Sequence, residues 1–282
     1  MPKKQKQTIS FVLASDAVYN SFDIVGDIAI IKLPEYSTVD ASHIAATIMN
    51  RHKKIKTVLL QSSPVSGDYR TRKLSYVFGE NRTITTHKES GCIFRVDLES
   101  CYYSPRLSYE HMRIAQLIKP NEKIVNMFAG IGCFSIIIAK KVSTAKIYSI
   151  DINPCAFEYM KKNISLNKVT TCVIPLLGDS KEIIESHFQG FADRVLMPLP
   201  EKAFEYLPCA ISALKPKEGG WIHIHSFERA STTKDAIAKV KRKITEVLFT
   251  QNVLYNISFL RQVRRIGPSK YQIEADIYIK KI

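Results

Sequence analysis

The chain has no long apolar run, no paired-cysteine motif and too few acids to balance its bases. None of its apolar stretches approaches the roughly 18–20 residues that cross a bilayer, and its polar start, Pro2-Lys3-Lys4-Gln5-Lys6, has no signal-peptide core. No membrane association is expected, and the expected compartment is the cytoplasm. Six cysteines (Cys92, Cys101, Cys133, Cys155, Cys172, Cys209) are scattered without C-x-x-C spacing. They read as reduced, mostly buried thiols, which argues against a disulfide framework or a zinc site, and no metal is expected. Internal repeats and low-complexity tracts are absent as well. Asp plus Glu number 26 against 41 Lys plus Arg, leaving a net charge of +15. That excess points to a polyanion, most simply nucleic acid, the alternative being a generally basic enzyme. What remains is an ordinary globular composition, 45% hydrophobic over 282 residues, enough for one large core or two modest ones.

The most informative segment is Asn126–Cys133, NMFAGIGC, with Asp151 behind it. An apolar run (Lys123–Phe128) enters a turn containing Gly130 and Gly132, and an apolar, helix-compatible stretch (Phe134–Lys141) leaves it. A second apolar run (Lys146–Ile150) ends on Asp151. Strand, tight turn, helix and a second strand carrying a carboxylate form the layout of a nucleoside-binding βαβ unit. Glycine lets the backbone approach a ligand, and the carboxylate can accept hydrogen bonds from a ribose diol. A dinucleotide fingerprint wants G-x-G-x-x-G/A, and Ser135 bends that pattern without excluding it. The shorter F-x-G-x-G form suits S-adenosylmethionine, which has no pyrophosphate to cradle. A plain structural turn is the alternative until the residues downstream are weighed. Asn153 suits an N-cap, with Pro154 at the first helical position. Further apolar runs, Cys172–Leu177 and Arg194–Met197, end on Gly178-Asp179 and Pro198-Leu199-Pro200. Acidic and special residues thus recur at strand ends, where open α/β sheets bind ligands.

Residues 22–33 alternate around Gly26-Asp27 and predict a hairpin. Ala41–Arg51 predicts a short helix, and residues 55–60, 74–78, 82–87 and 91–98 predict further strands. Ser108–Leu117 suits a bridging helix, with Ser108 as its N-cap. Val253–Val263 and Tyr271–Lys280, flanking Gly267-Pro268, suit a terminal antiparallel hairpin. The expected fold class is α/β: a Rossmann-like methyltransferase sheet over 96–282, preceded by a smaller β-rich α+β domain over 1–95. Basic residues cluster at Arg51, Lys53, Lys54 and Lys56, and again at Arg261, Arg264, Arg265 and Lys270, where phosphate contacts would give affinity without base identity.

The stretches FDIVGDIAIIKLP, GDYRTR, GENRTITTHKESGC, YYSPRLSYEHMR, NMFAGIGCFSI, DINPCAF, NISLNKV and DRVLMPLPEKAFEYL, spanning Phe22 to about Leu207, resemble the archaeal and eukaryotic tRNA (guanine-37 N1)-methyltransferase family. The resemblance implies S-adenosyl-L-methionine as cofactor and the anticodon loop of tRNA, at G37, as substrate, on a chain expected to be a monomer. It also implies that Glu110 is the general base taking the proton from guanine N1, and that Arg70 stabilises charge developing on O6. The chemistry is consistent: N1 holds its proton with a pKa of about 9, so a base is needed, and base catalysis contributes about 10²–10⁴-fold. A guanidinium at O6 adds stabilisation where charge develops. Taken without the resemblance, Glu110 is a first-turn acid serving a helix dipole and Arg70 a surface arginine.

For the cofactor the resemblance implies Asp151 and Ile152 beside the ribose and adenine, and Asp179 and Ser180 at the adenine edge. Gly130 falls at the methionine moiety and Arg106 beside the reaction centre, with Phe128, Ala129, His111, Asn153 and Pro198 as further cofactor neighbours; Asn153 is a helix cap first. Departures from the family pattern are Pro198 where Asn is common, His111 where Arg commonly follows the glutamate, and Asn126 in place of a frequent Asp. Only about twenty residues precede the first match, where relatives carry a further domain. A less stringent check of overall tRNA shape is therefore expected, testable by comparing methylation of an anticodon stem-loop with that of full-length tRNA. Rival readings are the wybutosine-pathway aminocarboxypropyl transferase or a related RNA methyltransferase, a non-catalytic RNA-binding protein, and an NAD-dependent oxidoreductase.

Overall fold

Residues 22–33 and 40–282 are described by the structure, a computed structural model; the reading of Pro2–Lys6 falls outside them. The chain divides into two compact units, Met1–Ser108 and Tyr109–Ile282.

In the first unit the alternating segment forms the hairpin β1 (Asp23–Val25) and β2 (Ile28–Ile31) around Gly26-Asp27. Helix α1 (Ala41–Arg51) starts where Asp40 accepts a hydrogen bond from the Ser42 amide at 2.9 Å. It packs Ala45 and Ile48 onto Ala29, Ile31, Ile55 and Val58. Strands β3 (Thr57–Gln61) and β4 (Leu74–Gly79) complete a sheet of order β1-β2-β3-β4. A separate hairpin pairs β5 (Ile84–Glu89) with β6 (Cys92–Asp97). Gly26 joins the two: its φ is +58°, and a Cβ there would lie 2.2 Å from Thr85 Oγ1 and 2.5 Å from the Thr86 carbonyl oxygen. Its amide donates to His87 Nδ1 at 3.0 Å, and Asp27 accepts from Arg82 and Thr85.

The second unit follows the βαβ reading closely. Its elements are α2 (Ser108–Leu117), β7 (Lys123–Asn126), α3 (Cys133–Lys141), β8 (Lys146–Asp151), α4 (Pro154–Leu166), β9 (Val173–Leu177), α5 (Ser180–His187) and β10 (Arg194–Met197). They are followed by α6 (Ala203–Ala213), β11 (Gly220–Arg229), α7 (Thr233–Thr250), β12 (Val253–Gly267) and β13 (Lys270–Lys281). The sheet order is β12-β13-β11-β10-β7-β8-β9. The strands from β11 to β9 run parallel, and β13 and β12 close the other edge antiparallel. The order reverses between β7 and β10, the topological switch point, where doubly wound sheets open a ligand crevice. Val125, Val195, Ile222 and Ile277 lie in its core. The terminal hairpin is longer than expected, and register shifts near Phe259 and Arg264 bend β12.

One expectation is corrected. Ser108 is not an N-cap: a 3₁₀ turn, Pro105–Leu107, runs directly into α2, and Ser108 already has helical angles (φ −56°, ψ −33°). The proline-started turn supplies the helix entry that a capping side chain otherwise would. The cysteines are free, five buried and Cys155 exposed. Among the described residues no helix is long and apolar enough to cross a membrane, and no group of His, Cys, Asp and Glu could hold a metal ion.

Replacing Gly26 with Ala forces a side chain into backbone in a left-handed conformation. Urea unfolding should show the first unit destabilised by about 2 kcal/mol or more; an unchanged midpoint would contradict the close packing at this turn.

Candidate active site

Two groups of residues meet the description of a site, both within the second unit. The first is the crevice at the carboxyl ends of β7, β8, β9 and β10. The loop after β7 is pinned by its backbone: Met127 donates to the Leu196 carbonyl at 3.0 Å and Ala129 to the Ile150 carbonyl at 2.8 Å. Gly130 (φ +57°) donates to Asp151 Oδ2 at 2.6 Å, and the Asn153 amide donates to Oδ1 at 2.9 Å. Burial pushes the Asp151 carboxyl above its usual value, and those two amides oppose the shift. Both oxygens are thus held in place, each with a lone pair left over. Ser135, in the third position of the glycine pattern, is buried and joins α3 to β7 and β8 through Asn126 Nδ2 (3.1 Å) and Ser149 Oγ (2.7 Å).

Asn153 caps α4, accepting from the Cys155 amide, with Pro154 at the first helical position. Asp179 caps α5 and also accepts from the Tyr206 hydroxyl at 2.8 Å. Phe128 meets Tyr206 edge to face at 5.2 Å between ring centroids. Ile152 is 40% exposed beside Asp151, an apolar surface at the strand end. Ser180 is buried, and its Oγ has no hydrogen-bond partner. A carboxylate fixed for a diol, an apolar face and an unpartnered buried hydroxyl fit a nucleoside with a polar base edge. Pro198 follows β10 and offers only its carbonyl. Arg106 and Arg70 belong to the first unit. There Arg106 donates to Asp23 Oδ1 at 2.7 Å. Arg70 closes a loop on Gly67, with φ +53° and its guanidinium 4.1 Å from the Tyr102 ring centroid. Left-handed backbone at a non-glycine residue costs of order 1–3 kcal/mol, so this arginine is held, not merely displayed.

The second group surrounds Glu110, which is 1% exposed. It is therefore no surface acid serving the helix dipole. Arg113, one turn further along α2, donates Nε to Glu110 Oε2 at 2.9 Å and forks onto both oxygens of Asp276 at 2.6 and 3.1 Å. Arg261 donates to Glu110 Oε1 and, at 2.5 Å, to Glu274 Oε1. Beyond Asp276 lies His223, with Nδ1 at 2.6 Å, and beyond it Arg194, which also pairs with Glu122. Because a guanidinium can only donate, His223 Nε2 accepts and its Nδ1–H faces Asp276. His111 is buried edge to face against Phe134 at 4.5 Å.

Burial pushes Glu110 up, but hydrogen bonds from Glu274 and Arg113 and the charges of Arg113 and Arg261 hold it below the ordinary glutamate value. Burial and the neighbouring Glu110 push Glu274 up to about 8. Asp276 is held well below the usual range by His223 and Arg113, against its burial. Sequence reasoning missed Arg113, Glu274, Asp276, His223 and Arg194. It also counted Arg261 among surface cations, whereas Arg261 is half-buried against Glu110, Glu274 and the Tyr109 ring.

Residues 85–253 match the TRM5/TYW2 methyltransferase domain, and residues 13–83 the TYW2 N-terminal domain. The chain belongs to the TRM5/TYW2 methyltransferase family. S-adenosyl-L-methionine is the cofactor of that family. The chain is similar to the tRNA (guanine(37)-N(1))-methyltransferase Trm5b of Pyrococcus abyssi, 39% identical over 92% of this chain and 74% of the relative. The crystal structure of Trm5b from Pyrococcus abyssi superposes with a TM-score of 0.81, covering 92% of this chain and 75% of the other. A tRNA 4-demethylwyosine(37)-methyltransferase, Taw21 of Saccharolobus solfataricus, is 35% identical over 92% of this chain and 94% of its own. A solved complex of aTrm5 with tRNALeu aligns with a TM-score of 0.78 at 34% identity, covering 92% of this chain and 71% of that one.

Behind Glu110, His225 is fully buried and accepts from Gln272 at 3.3 Å; burial lowers its pKa to about 4. A base with a depressed folded-state pKa binds fewer protons than in the unfolded chain. Its contribution is therefore complete above pH 6.5 and fades as pH falls towards 4, by up to roughly 3 kcal/mol at about 1.4 kcal/mol per tenfold change in proton affinity. Unfolding free energies measured from pH 7 to 4 should flatten in His225→Gln; equal slopes in the two proteins would remove His225 from this role.

Proposed function

We propose that this protein methylates N1 of guanine 37 in tRNA, with Glu110 as general base and Arg70 stabilising the charge that develops on O6. The observation that carries the reading is Glu110 itself: a buried carboxylate, kept ionised by two guanidiniums, standing in the SYE segment that matches the family. The names of the relatives, the complex with tRNALeu and the basic surplus support the substrate.

In this reading, residues 1–95 face the RNA and 96–282 hold the cofactor. Asp151 and Ile152 would take the ribose and adenine, Asp179 and Ser180 the adenine edge, and Gly130 the methionine end, with Phe128 and Ala129 beside the cofactor. Asn153, His111, Arg106 and Pro198 stand as neighbours of the same site. When bound, S-adenosylmethionine supplies an electrophilic methyl group. The work of the chain is then to expose a nucleophile to it. Glu110 takes the N1 proton through a lone pair its arginine partners leave free, since a carboxylate offers about four acceptor positions to their two bonds. The N1 electron pair released by that transfer is the one that attacks. Arg70 meets the O6 charge with a guanidinium pre-positioned by its loop. Because Arg113 and Arg261 weaken Glu110 as a base, its advantage lies in being fully ionised at neutral pH and already desolvated.

A second reading draws on Taw21 and on the TYW2 N-terminal match: a modified guanosine, 4-demethylwyosine, at the same position as substrate, or transfer of the cofactor's aminocarboxypropyl arm. Incubation of labelled cofactor with tRNA carrying unmodified G37 and, in parallel, with tRNA carrying 4-demethylwyosine at that position, followed by nucleoside mass analysis, separates these products. 1-Methylguanosine is expected, and its absence alongside a modified wyosine base would replace this reading.

In Glu110→Gln, cofactor affinity should persist while single-turnover transfer slows about 10²–10⁴-fold. Unchanged turnover would remove Glu110 as the base.

A further inference from the structure

Glu110 does not stand alone. Three carboxylates, Glu110, Glu274 and Asp276, share two guanidiniums, Arg113 and Arg261. All three acids are buried. Were all ionised, the cluster would carry one uncompensated negative charge in a low-dielectric seam, a costly arrangement. The neighbouring histidines do not supply the missing proton: His223 accepts from Arg194 at Nε2, and burial keeps His225 neutral.

The hydrogen bonds mark where the proton sits. Both oxygens of Glu110 receive arginine donors, and so do both of Asp276. Glu274 receives Arg261 on Oε1 alone, and its buried Oε2 receives no donor, which leaves it the oxygen to carry a proton. Arg261 bonds Glu274 Oε1 and Glu110 Oε1 at once and so holds the two carboxyls side by side, an arrangement that is repulsive between two anions and attractive once one is an acid.

We propose that Glu274 is a positioning residue that carries the single proton of a Glu110–Glu274 pair, donating it to Glu110 so that the negative charge stays on the base. The proposal rests on the reading of Glu110 as general base. With Glu274 neutral the cluster sums to zero: Glu110 and Asp276 against Arg113 and Arg261. When the substrate N1–H bond breaks, its electron pair stays on nitrogen to form the new N–C bond, and the N1 proton lands on Glu110. The methyl's bond to the donor sulfonium breaks with its pair going to sulfur. The Glu274 proton stays in place throughout, so none is lost or gained elsewhere. Glu274 thereby sets the strength of the base without touching substrate. The groups that face it are Glu110, His111 and Arg113 on α2, Arg261 on β12, His223 and His225 on β11, and Gln272 and Asp276 on β13.

Loss of the Glu274 proton through pH about 8 places a second negative charge beside Glu110 and raises its proton affinity. The test compares wild type with Glu274→Gln, whose amide keeps a donor but does not ionise. Single-turnover methyl transfer to full-length tRNA at saturating cofactor should give a wild-type-to-variant rate ratio that climbs on the order of 3-fold to 10-fold between about pH 7 and 9. The ratio cancels ionisation of guanine itself. A residue that merely supports the fold would give a pH-independent ratio, and that result would overturn the proposal. Infrared spectra of the cofactor-free full chain at neutral pH provide a readout without turnover. A protonated-carboxyl C=O stretch is expected in wild type and should vanish in Glu274→Gln; it should also weaken in Glu110→Gln, where two carboxylates are left against two guanidiniums. A band missing from wild type, or persisting in Glu274→Gln, sinks the assignment to Glu274. Normal transfer by Glu110→Gln would instead sink the general-base reading, so the two failures are distinct.

Discussion

Charge inside this protein must balance, and much of the second unit is arranged around that constraint. A lone buried carboxylate is too costly to keep ionised unless guanidiniums accompany it. Arg113 and Arg261 meet that need from two different elements, one helical turn beyond Glu110 on α2 and across the sheet edge on β12. The consequence reaches back to strand register. β13 must present Gln272, Glu274 and Asp276 on one face, and β11 must set His225 and His223 opposite Glu274 and Asp276. A one-residue slip would carry those polar groups to the other face and leave Arg113 without Asp276. The seam therefore specifies the pairing of the antiparallel edge as firmly as the apolar core does.

The crevice at the switch point uses a different economy. Its fixed groups are backbone amides and side chains held by them, so little has to move when a nucleoside arrives. Asp151 shows this: Gly130 and Asn153 orient its oxygens before any ligand is present. Preorganisation of this kind reduces the ordering cost of binding. The Gly130 amide is itself one of the donors, so the glycine turn after β7 and the carboxylate at the end of β8 are coupled through one hydrogen bond.

The elements of this half were legible because each carries its own local signal. Glycines in a turn, Asn153-Pro154 at a helix start and short β-branched runs determine structure over a few residues, and α1 and α2 fall on their expected bounds. The helix entry at Ser108 was misjudged because a serine before an amphipathic stretch looks like a cap, whereas Pro105 had already begun the turn. The ionic cluster was illegible for a deeper reason. Glu110 and Glu274 are far apart in sequence, and neither residue type announces burial. A trace was present all the same. The segments HIHSF and YQIEADIYI place polar residues at every second position within otherwise apolar strands, which is a polar stripe facing something. Read with Arg113 one turn from Glu110, that stripe was the available clue to a buried partner.

The internal balance also bears on the surface. Arg113, Arg194 and Arg261 are engaged with Glu110, Glu122, Glu274 and Asp276, so these buried bases do not contribute to the outward field. The remaining residues, 38 bases against 22 acids, therefore carry the whole basic surplus. Among them are Arg51, Lys53, Lys54 and Lys56, all exposed at the end of α1 and just beyond it, and Arg265 on β12. A protein whose bases were needed only to neutralise its own buried acids would show no such excess. Surface cations can exchange counterions for phosphates, and an affinity built this way weakens with salt in proportion to the contacts made. Such a surface supplies attraction without sequence preference.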